Sequence, residues 1–317
     1  MSITTDFIIK KPQGLYCPYG DFYLDPQLPV HTAVITHAHN DHAKPGNNLV
    51  FCTPNTAQIM KLRYKKNAAQ IFQLPNYLHQ FTIKDVAITF YPAGHILGSA
   101  MVLMEYLNVR YLFTGDYKLQ PDATCQPIQF TKANVLITET TFANPGIKHP
   151  NPDKEIEKLN AINGNIMLGV YALGKAQRIN KMINDYCSQK QILVHHSILP
   201  IHLLYQKEGI KIGAFLPYNR KRMKQNLSNQ IYLVPPVTFN SYQRVNEVVR
   251  IFASGWKNLQ TSTQNALYIS DHVDWDDILF TIEKVEPQQI WTIHGDGSYL
   301  KKYLQGKLDV TIIENAY

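Results

Sequence analysis

The 317-residue sequence has few cysteines, few charged side chains and no long apolar run. The four cysteines lie far apart and form no Cys-x-x-Cys pair, which argues against a disulfide framework and a cysteine-type zinc module. No stretch reaches the roughly 18 apolar residues of a membrane span, and the first residues lack the apolar core of a signal peptide. We therefore expect a soluble, cytoplasmic protein with buried free thiols and no membrane partner.

The composition is that of a folded protein with an uneven charge. Apolar residues make up 45% of the chain and charged residues 17%, which excludes a disordered protein. The net charge is +7, but residues 151–260 hold 15 lysines and arginines against 6 acidic residues, a net of +9. The rest of the chain nets −2. A polyanionic partner of the middle segment is therefore favoured.

Short apolar runs bounded by turn residues predict a strand-rich first half with one helix. The strands are Asp21–Asp25, Thr32–Thr36, Leu49–Cys52, Val86–Pro92, Ala100–Tyr106, Arg110–Thr114 and Ala133–Thr138, and the helix is Asn55–Lys66. The middle alternates between helices and strands, predicted as helices Glu155–Ile162, Lys175–Gln189 and Tyr242–Trp256 and strands Asn165–Tyr171 and Gln191–His195. The end of the chain resembles its first half, and its predicted elements are strand Ala266–Ser270, helix Trp275–Val285 and strand Gln289–His294. We expect two packed sheets with outer helices, interrupted by a smaller α/β unit with a mostly parallel sheet.

A cluster of metal-type ligands follows the apolar run 33–35. Residues i and i+2 at a strand end point the same way, so His37 and His39 can bind one metal ion. Asp41 and His42 lie in the following turn and can reach a second ion. Imidazole and carboxylate are ligands that zinc takes in catalytic sites with an open position.

Two further candidates occur singly after apolar runs. His95 lies in a Gly-rich loop after the apolar run Val86–Pro92, and Asp116 lies just after the apolar run Arg110–Thr114. Each residue alone is typical of an ordinary turn. Together with the cluster, each supplies a missing ligand, and Asp116 can bridge both ions.

The pattern His37-x-His39-x-Asp41-His42, followed by His95 and Asp116, resembles the metallo-β-lactamase fold. Asp25 resembles the acidic residue upstream of the cluster that orients a ligand histidine. The segments 138–140, 270–274 and 293–295 resemble three further motifs of the β-CASP nucleases. Shorter phrases resemble the bacterial ligase-associated DNA exonucleases, at residues 14–18, 115–118, 121–125 and 171–178.

The resemblance implies an α/β fold in which an αββα metallo-β-lactamase core (1–144 and 263–317) carries an inserted β-CASP lid (145–262). It implies two Zn²⁺ ions, with Mn²⁺ as a substitute, and a bridging hydroxide as nucleophile. The implied ligands are His37, His39 and His95 for one ion, Asp41, His42 and His294 for the other, and Asp116 for both. Glu139 would hold His272, the implied general acid, by a hydrogen bond.

The implied function is zinc-dependent phosphodiester hydrolysis, as a DNA exonuclease in DNA repair or processing. His294 leaves RNA open, because RNA-cleaving β-CASP members have histidine there. A small-molecule metallohydrolase is a further alternative, but it has no use for the pair Glu139–His272 or for the basic lid. A non-catalytic nucleic-acid scaffold is another, but every expected ligand position is filled. An association with a DNA ligase or a helicase follows from the resemblance alone.

The basic middle segment contains the candidate substrate-binding residues. Residues 169–175 match the phosphate-binding P-loop motif up to its lysine. The next residue is Ala176, where the motif needs a Ser or Thr hydroxyl to bind Mg²⁺, and we therefore exclude ATP binding. A helix beginning at Gly174 and Lys175 could instead hold a backbone phosphate on its free amides, although a Gly turn with an exposed lysine fits equally well. The full set of candidates is Gly174, Lys175, Arg178, His195, Arg220, Lys221 and Arg222.

Overall fold

The computed structural model describes residues 3–219, 229–241, 248–256 and 266–313. Contacts divide the chain into two units. The first unit comprises the described residues of Met1–Pro121, Cys125–Lys148 and His272–Tyr317, and the second those of Asp122–Thr124 and His149–Asp271. The division at 145 and 262 stays a prediction, and the contacts divide the chain several residues later at both points.

Two mixed sheets form the first unit. In the first sheet the strands follow chain order: β1 Ile9–Lys11, β2 Gly14–Cys17, β3 Phe22–Leu24, β4 Thr32–Val34, β5 Asn47–Phe51 and β6 Ala69–Gln73. The strands of the second sheet are β7 Gln80–Ile83, β8 Val86–Pro92, β9 Ala100–Tyr106, β10 Val109–Phe113, β11 Val135–Thr140, β17 Gln289–Gly295 and β18 Asp309–Ile312. They lie in the order β18-β17-β11-β10-β9-β8-β7, parallel from β18 to β10 and antiparallel from β10 to β7.

Strand β9 shows why this unit is layered. Val102 and Met104 join a core cluster that also contains apolar residues of the first sheet, whereas Met101 and Leu103 join a second cluster with helix Trp275–Val285. Side chains alternate along a strand, and residues 100–104 of β9 are all apolar and buried, so this part of the strand is buried on both faces. The expected α/β sandwich is therefore confirmed.

Three helices belong to this unit among the described residues: Pro54–Tyr64, Trp275–Val285 and Ser298–Leu304. The second has the predicted bounds. It begins where the Asp274 carboxylate accepts a hydrogen bond from the Asp277 amide, at 3.1 Å, which satisfies one of the free donors of a helix start. Within the described chain, no helix is both long and apolar enough to cross a bilayer.

A five-stranded parallel sheet forms the centre of the second unit. Its strands are β12 Asn165–Gly169, β13 Gln191–Val194, β14 Leu216–Pro217, β15 Gln230–Val234 and β16 Val248–Phe252, in the order β14-β13-β15-β12-β16. The helices described are Pro152–Glu157, Lys175–Tyr186, Leu199–Lys207 and Pro236–Ser241. Ile166 and Leu168 pack with Ile179 and Ile183 on one face, and the alternate residue Met167 packs in a separate cluster.

Two predicted elements are wrong. The described part of the expected helix Tyr242–Trp256 contains strand β16, because its Val-Val-Arg-Ile-Phe run is β-branched and aromatic. Residues 242–247 lie outside the described residues. The expected strand Ala266–Ser270 makes only an isolated bridge, between Leu267 and Ala253.

His202 should make the second unit less stable in acid. Burial lowers its pKa to about 4, and the Gln177 amide group lies 3.0 Å from its Nδ1. In an unfolded chain an imidazole titrates near ~6.5, so between about pH 4 and 6.5 the unfolded state binds the extra proton. The stabilisation is complete above this window and is lost as the pH falls through it.

We expect wild type to lose about 2 kcal/mol more unfolding free energy than His202→Gln between pH 7.5 and 5.0. Urea unfolding of both proteins at the two pH values measures this difference. The His202 ring packs against Phe215, with a centroid distance of 4.8 Å. Any loss of this packing lowers the unfolding free energy of the variant equally at both pH values, so it does not affect the comparison of the two pH dependences. Equal pH dependence of the two proteins would contradict the assignment.

Candidate metal centre

The candidate ligands lie at or just beyond the ends of strands in the first unit. His37, His39 and His42 follow β4, His95 follows β8, and Asp116 follows β10. Glu139 and His294 lie near the ends of β11 and β17, which are adjacent and parallel. The ends of neighbouring parallel strands meet at one edge of a sheet, which explains how Glu139 and His294, about 150 positions apart, come together. The histidines that follow β4 come from the other sheet of the same unit.

Three imidazole nitrogens converge in a first donor group. Nδ1 of His39 lies 3.1 Å from Nε2 of His37 and 3.1 Å from Nε2 of His95. Oδ2 of Asp116 is 3.6 Å and 3.8 Å from the latter two nitrogens. Ligand nitrogens around a tetrahedral zinc ion are about 3.4 Å apart, so this set has the spacing and chemistry to hold a metal ion.

A second donor group shares the same carboxylate. His42, Asp116 and His294 place ligand atoms within 4.8 Å of one another. Nε2 of His42 is 3.3 Å from Oδ2 of Asp116, and the rings of His42 and His294 stack at 5.0 Å. Asp41 lies at the edge of this group, because its side chain is 65% exposed and its Oδ2 is 3.9 Å from Nε2 of His42.

A third group joins Asp116 to the pair Glu139 and His272. Nδ1 of His272 lies 2.9 Å and 3.1 Å from the two Glu139 oxygens and 4.0 Å from Oδ2 of Asp116. The buried Glu139 carboxylate also accepts hydrogen bonds from the Tyr117 amide and the Thr141 hydroxyl. These bonds fix the orientation of the carboxylate that holds the imidazole.

Backbone irregularities aim two of these side chains. The register between β11 and β17 shifts after the pair Glu139–Ile293, so that Thr140 pairs with Gly295 and His294 is the extra residue of a bulge. Its φ is +47°, an uncommon conformation for a non-glycine residue, which fits the extra residue of a bulge. Before Asp116, Gly115 has φ +53°, and a Cβ there would lie 2.7 Å from Oγ1 of Thr36, so only glycine fits.

Asp25 contacts a histidine of the second donor group. Its carboxylate accepts from the Thr36 amide at 2.8 Å and the Thr36 hydroxyl at 2.6 Å, and Nδ1 of His42 lies 2.8 Å from Oδ2. A proton held at Nδ1 of His42 leaves Nε2, on the Asp116 side, to bind a metal ion. Thr36 also lies 3.0 Å from Nδ1 of His37 and so connects both groups.

Substituting Asp25 by asparagine should weaken metal binding by roughly 10–100-fold, because an amide holds the His42 imidazole less firmly than a carboxylate. Competition of the apoprotein with a chromogenic zinc chelator measures the affinity. Asp21→Asn is the matched control, since Asp21 is exposed and pairs with Lys84 at the surface. An unchanged affinity in Asp25→Asn would remove Asp25 from the metal centre.

The pKa shifts favour the metal-binding form at His37, His294 and Asp116, but at His42 the shift favours the protonated ring. Burial, followed by the neighbouring His42 and His95, lowers the pKa of His37 well below its usual value, and burial lowers that of His294 to about 4. Both rings are therefore neutral at neutral pH, the form that binds metal. Burial raises the pKa of Asp116, but His42 and His272 hold it well below its usual value. For His42, Asp116 and Asp25 outweigh burial and raise the pKa.

Known proteins resemble this chain in sequence. It is 28% identical over 302 residues to a probable DNA ligase of Opitutus terrae, a match that covers 90% of this chain and 29% of the relative. It is 35% identical over 122 residues to endoribonuclease ysh-1 of Neurospora crassa, covering 35% of this chain and 14% of the relative. The chain thus spans less than a third of the length of these relatives. No protein-family model matches it.

The chain is similar to the β-CASP nucleases of the metallo-β-lactamase fold. This confirms the resemblance that the motifs indicated. A solved structure of a protein of unknown function from Enterococcus faecalis has the same fold, with a TM-score of 0.58 and 13% identity, over 89% of this chain and 79% of that one. The donor groups around Asp116 are thus candidate metal sites in a protein that is similar to these nucleases.

Lys175 and Arg178 have a different role from the predicted one. Both are buried, and both pair with Asp271, at 3.1 Å and 3.0 Å. Gly174 also departs from the prediction, because its amide donates to the Gln177 side chain at 2.7 Å. The amides of Lys175 and Ala176 donate to backbone carbonyls. In the structure, these groups hold the second unit together instead of facing a phosphate.

The other substrate-binding predictions stand differently. His195 is half-buried just after β13, with Nδ1 2.8 Å from the Ser197 hydroxyl. Arg220, Lys221 and Arg222 lie outside the described residues. A further residue beside the donor groups is Lys118, which is absent from the predicted site, is buried and donates to the His95 carbonyl at 3.2 Å. Its signal was the Gly-Asp-Tyr-Lys phrase, which places a lysine two residues after Asp116.

Proposed function

We propose that this chain is a metal-dependent nuclease that hydrolyses phosphodiester bonds. The observation that carries the proposal is the position of Asp116, which belongs to two donor groups and also lies 4.0 Å from the His272 imidazole. Two adjacent donor groups with a shared carboxylate are the arrangement of two-metal phosphoryl transfer. A histidine beside them adds a proton donor, which a phosphodiester with a poor leaving group needs.

The proposed ligands follow from the donor groups. His37, His39 and His95 would hold one ion, Asp41, His42 and His294 the other, and Asp116 both. We propose two Zn²⁺ ions, with Mn²⁺ as a substitute, because the donors are imidazoles and carboxylates. When bound, such a pair supplies Lewis acidity and lowers the pKa of a water molecule. Two such ions, the two aspartates and a hydroxide would together carry a net charge of about +1, which suits a singly charged phosphodiester.

The protein's own residues would handle the proton of the leaving group. Glu139 contacts Nδ1 of His272, so Nε2 of that ring is the nitrogen that can donate to the departing oxygen. Glu139 itself is buried and bound by the Tyr117 amide and the Thr141 hydroxyl, so it holds the ring and takes no part in proton transfer to solvent. The side chain of His272 is 28% exposed and therefore accessible to a substrate.

DNA is the proposed substrate, cleaved exonucleolytically in repair or processing in the cytoplasm. The match that spans 90% of this chain is to a protein named as a probable DNA ligase, which also motivates a proposed partnership with a DNA ligase. A helicase remains a partner by motif resemblance alone. The second candidate substrate is RNA, favoured by His294 and by the similarity of 122 residues to an endoribonuclease.

The test uses the purified chain, loaded with Zn²⁺ or Mn²⁺, and end-labelled single- and double-stranded DNA and RNA of equal sequence. We expect chelator-sensitive cleavage that is fastest on DNA and releases short products from an end. Faster cleavage of RNA would select the second candidate, and internal products would replace the exonuclease by an endonuclease. Metal-loaded protein that is inert on every polymer, or that hydrolyses only a small ester, would overturn the proposal.

A further inference from the structure

The carboxyl edge of the parallel sheet in the second unit has a topological switch point. Strands β12 and β15 are adjacent, but the strand that follows β12 lies on one side of this pair and the strand that follows β15 lies on the other. The connections therefore leave in opposite directions. In open parallel sheets, ligands bind in the crevice outside the carboxyl ends of the strands at such a point.

Exposed rings follow the strands at this edge. Tyr171, two residues beyond β12, is 49% exposed, and Trp256, four residues beyond β16, is 42% exposed. Tyr218, directly after β14, is 38% exposed. After β13, the rings of His195 and His196 lie 4.0 Å apart. A planar side chain thus follows four of the five strands within four residues.

Local contacts hold these rings in place. Phe252, the last residue of β16, meets the ring of Tyr171 edge-on at 6.1 Å. Nε2 of His195 lies 3.3 Å from the hydroxyl of Thr238, which follows β15, so the ends of β13 and β15 are tied together. The backbone amide of Trp256 donates to the Ser254 hydroxyl at 3.1 Å, which fixes the chain at this residue. A ring that is held in place, such as that of Tyr171, loses little entropy when a planar ligand stacks on it.

We propose that this edge binds a single nucleic-acid strand by stacking its unpaired bases on Tyr171 and Trp256. The ligand class is also favoured by the charge of the whole segment in the sequence, because residues 151–260, which include this sheet, carry a net charge of +9. Non-sequence-specific single-strand binding combines such a positive environment with aromatic platforms. The inference rests on the proposed nuclease function, to which it adds the single-stranded form of the substrate and a location for its bases.

Trp256 provides a direct probe of this proposal. The chain has three tryptophans, and the other two, Trp275 and Trp291, are 7% and 5% exposed. The His272→Ala chain, used so that the ligand stays intact, is titrated with oligothymidylate and with an abasic oligomer of equal length and charge. We expect the thymidylate to quench the Trp256 emission and the abasic oligomer to leave it nearly unchanged.

Fluorescence anisotropy of a labelled oligothymidylate gives the affinity. Tyr171→Ala should weaken binding by roughly 10-fold, the loss of about one stacked base. Tyr186→Ala is the matched control, an exposed tyrosine at the end of helix Lys175–Tyr186 in the same unit, and should bind as tightly as the parent. Trp256→Phe keeps a ring and should bind nearly normally, whereas Trp256→Ala should not.

Several results would overturn the inference: equal quenching by both oligomers, binding without quenching, or an unchanged affinity of Tyr171→Ala. Cleavage by the wild-type chain is measured separately. Cleavage without Trp256 quenching would remove this binding surface and leave the nuclease proposal intact. Base-dependent quenching without cleavage would support this binding surface and overturn the nuclease proposal.

Discussion

Replacing His272 by alanine should lower the rate of phosphodiester cleavage by about 10²–10⁴-fold while leaving the metal content unchanged. The reason is geometric. Nδ1 of His272 is held by the buried Glu139 at 2.9 Å, whereas the nearest oxygen of Asp116 is 4.0 Å away. A general acid acts on the leaving oxygen and is absent from the ligand sets, so its removal affects turnover and spares the metal centre.

Metal analysis of His272→Ala, together with cleavage rates over a range of pH, tests this assignment. Glu139→Gln is a second variant with a smaller expected effect. Its amide can still hold the His272 ring by a hydrogen bond but no longer favours the charged form of that ring. We expect it to lose less activity than His272→Ala and to shift the pH profile to lower values. Loss of bound zinc in His272→Ala would instead make His272 a ligand in the group with Asp116 and Glu139.

Replacing Arg178 by methionine should destabilise the second unit by about 3–5 kcal/mol. The guanidinium is buried and donates through one nitrogen to the Ser270 carbonyl at 2.7 Å and to Asp271 at 3.0 Å. Its Nε lies 3.7 Å from Oδ2 of the buried Asp122. Methionine fills a similar volume but leaves two buried carboxylates with less compensation.

Urea unfolding, followed by circular dichroism, measures the Arg178→Met effect. Lys181→Met lies on the same helix and removes only a surface pair with Asp185, so it should change the unfolding free energy by less than about 1 kcal/mol. Similar stabilities of the two variants would show that the Arg178 cluster adds nothing. Lys175 donates to the Ile269 carbonyl and pairs with Asp271, so some of the cluster survives in the variant.

Much of the metal centre was predictable because its signals are local. The spacing of His37 and His39 at a strand end defines a direction, and the apolar runs before His95 and Asp116 predict where the loops begin. The helix Trp275–Val285 was predictable for the same reason, since its capping residue and apolar spacing lie within one window.

The fate of the charged residues was not predictable in this way. Sequence alone does not show that Arg178 meets Asp271, 93 positions later, and a basic residue at a helix start is more often exposed. The residues 242–256 taken together suggest a helix, and this longer pattern hides the short β-branched run that forms the strand Val248–Phe252. A bulge such as that at His294 depends on the register of two strands whose residues are about 150 positions apart.

The bulge in β17 makes a metal-ligand position depend on one extra residue in a strand. A chain shortened by one residue at His294 would pair regularly with β11 and would no longer need the positive φ of this residue. Such a chain would lose a donor beside Asp116. The irregular pairing of two strands and the second donor group are therefore one feature of the backbone, and neither can be removed without the other.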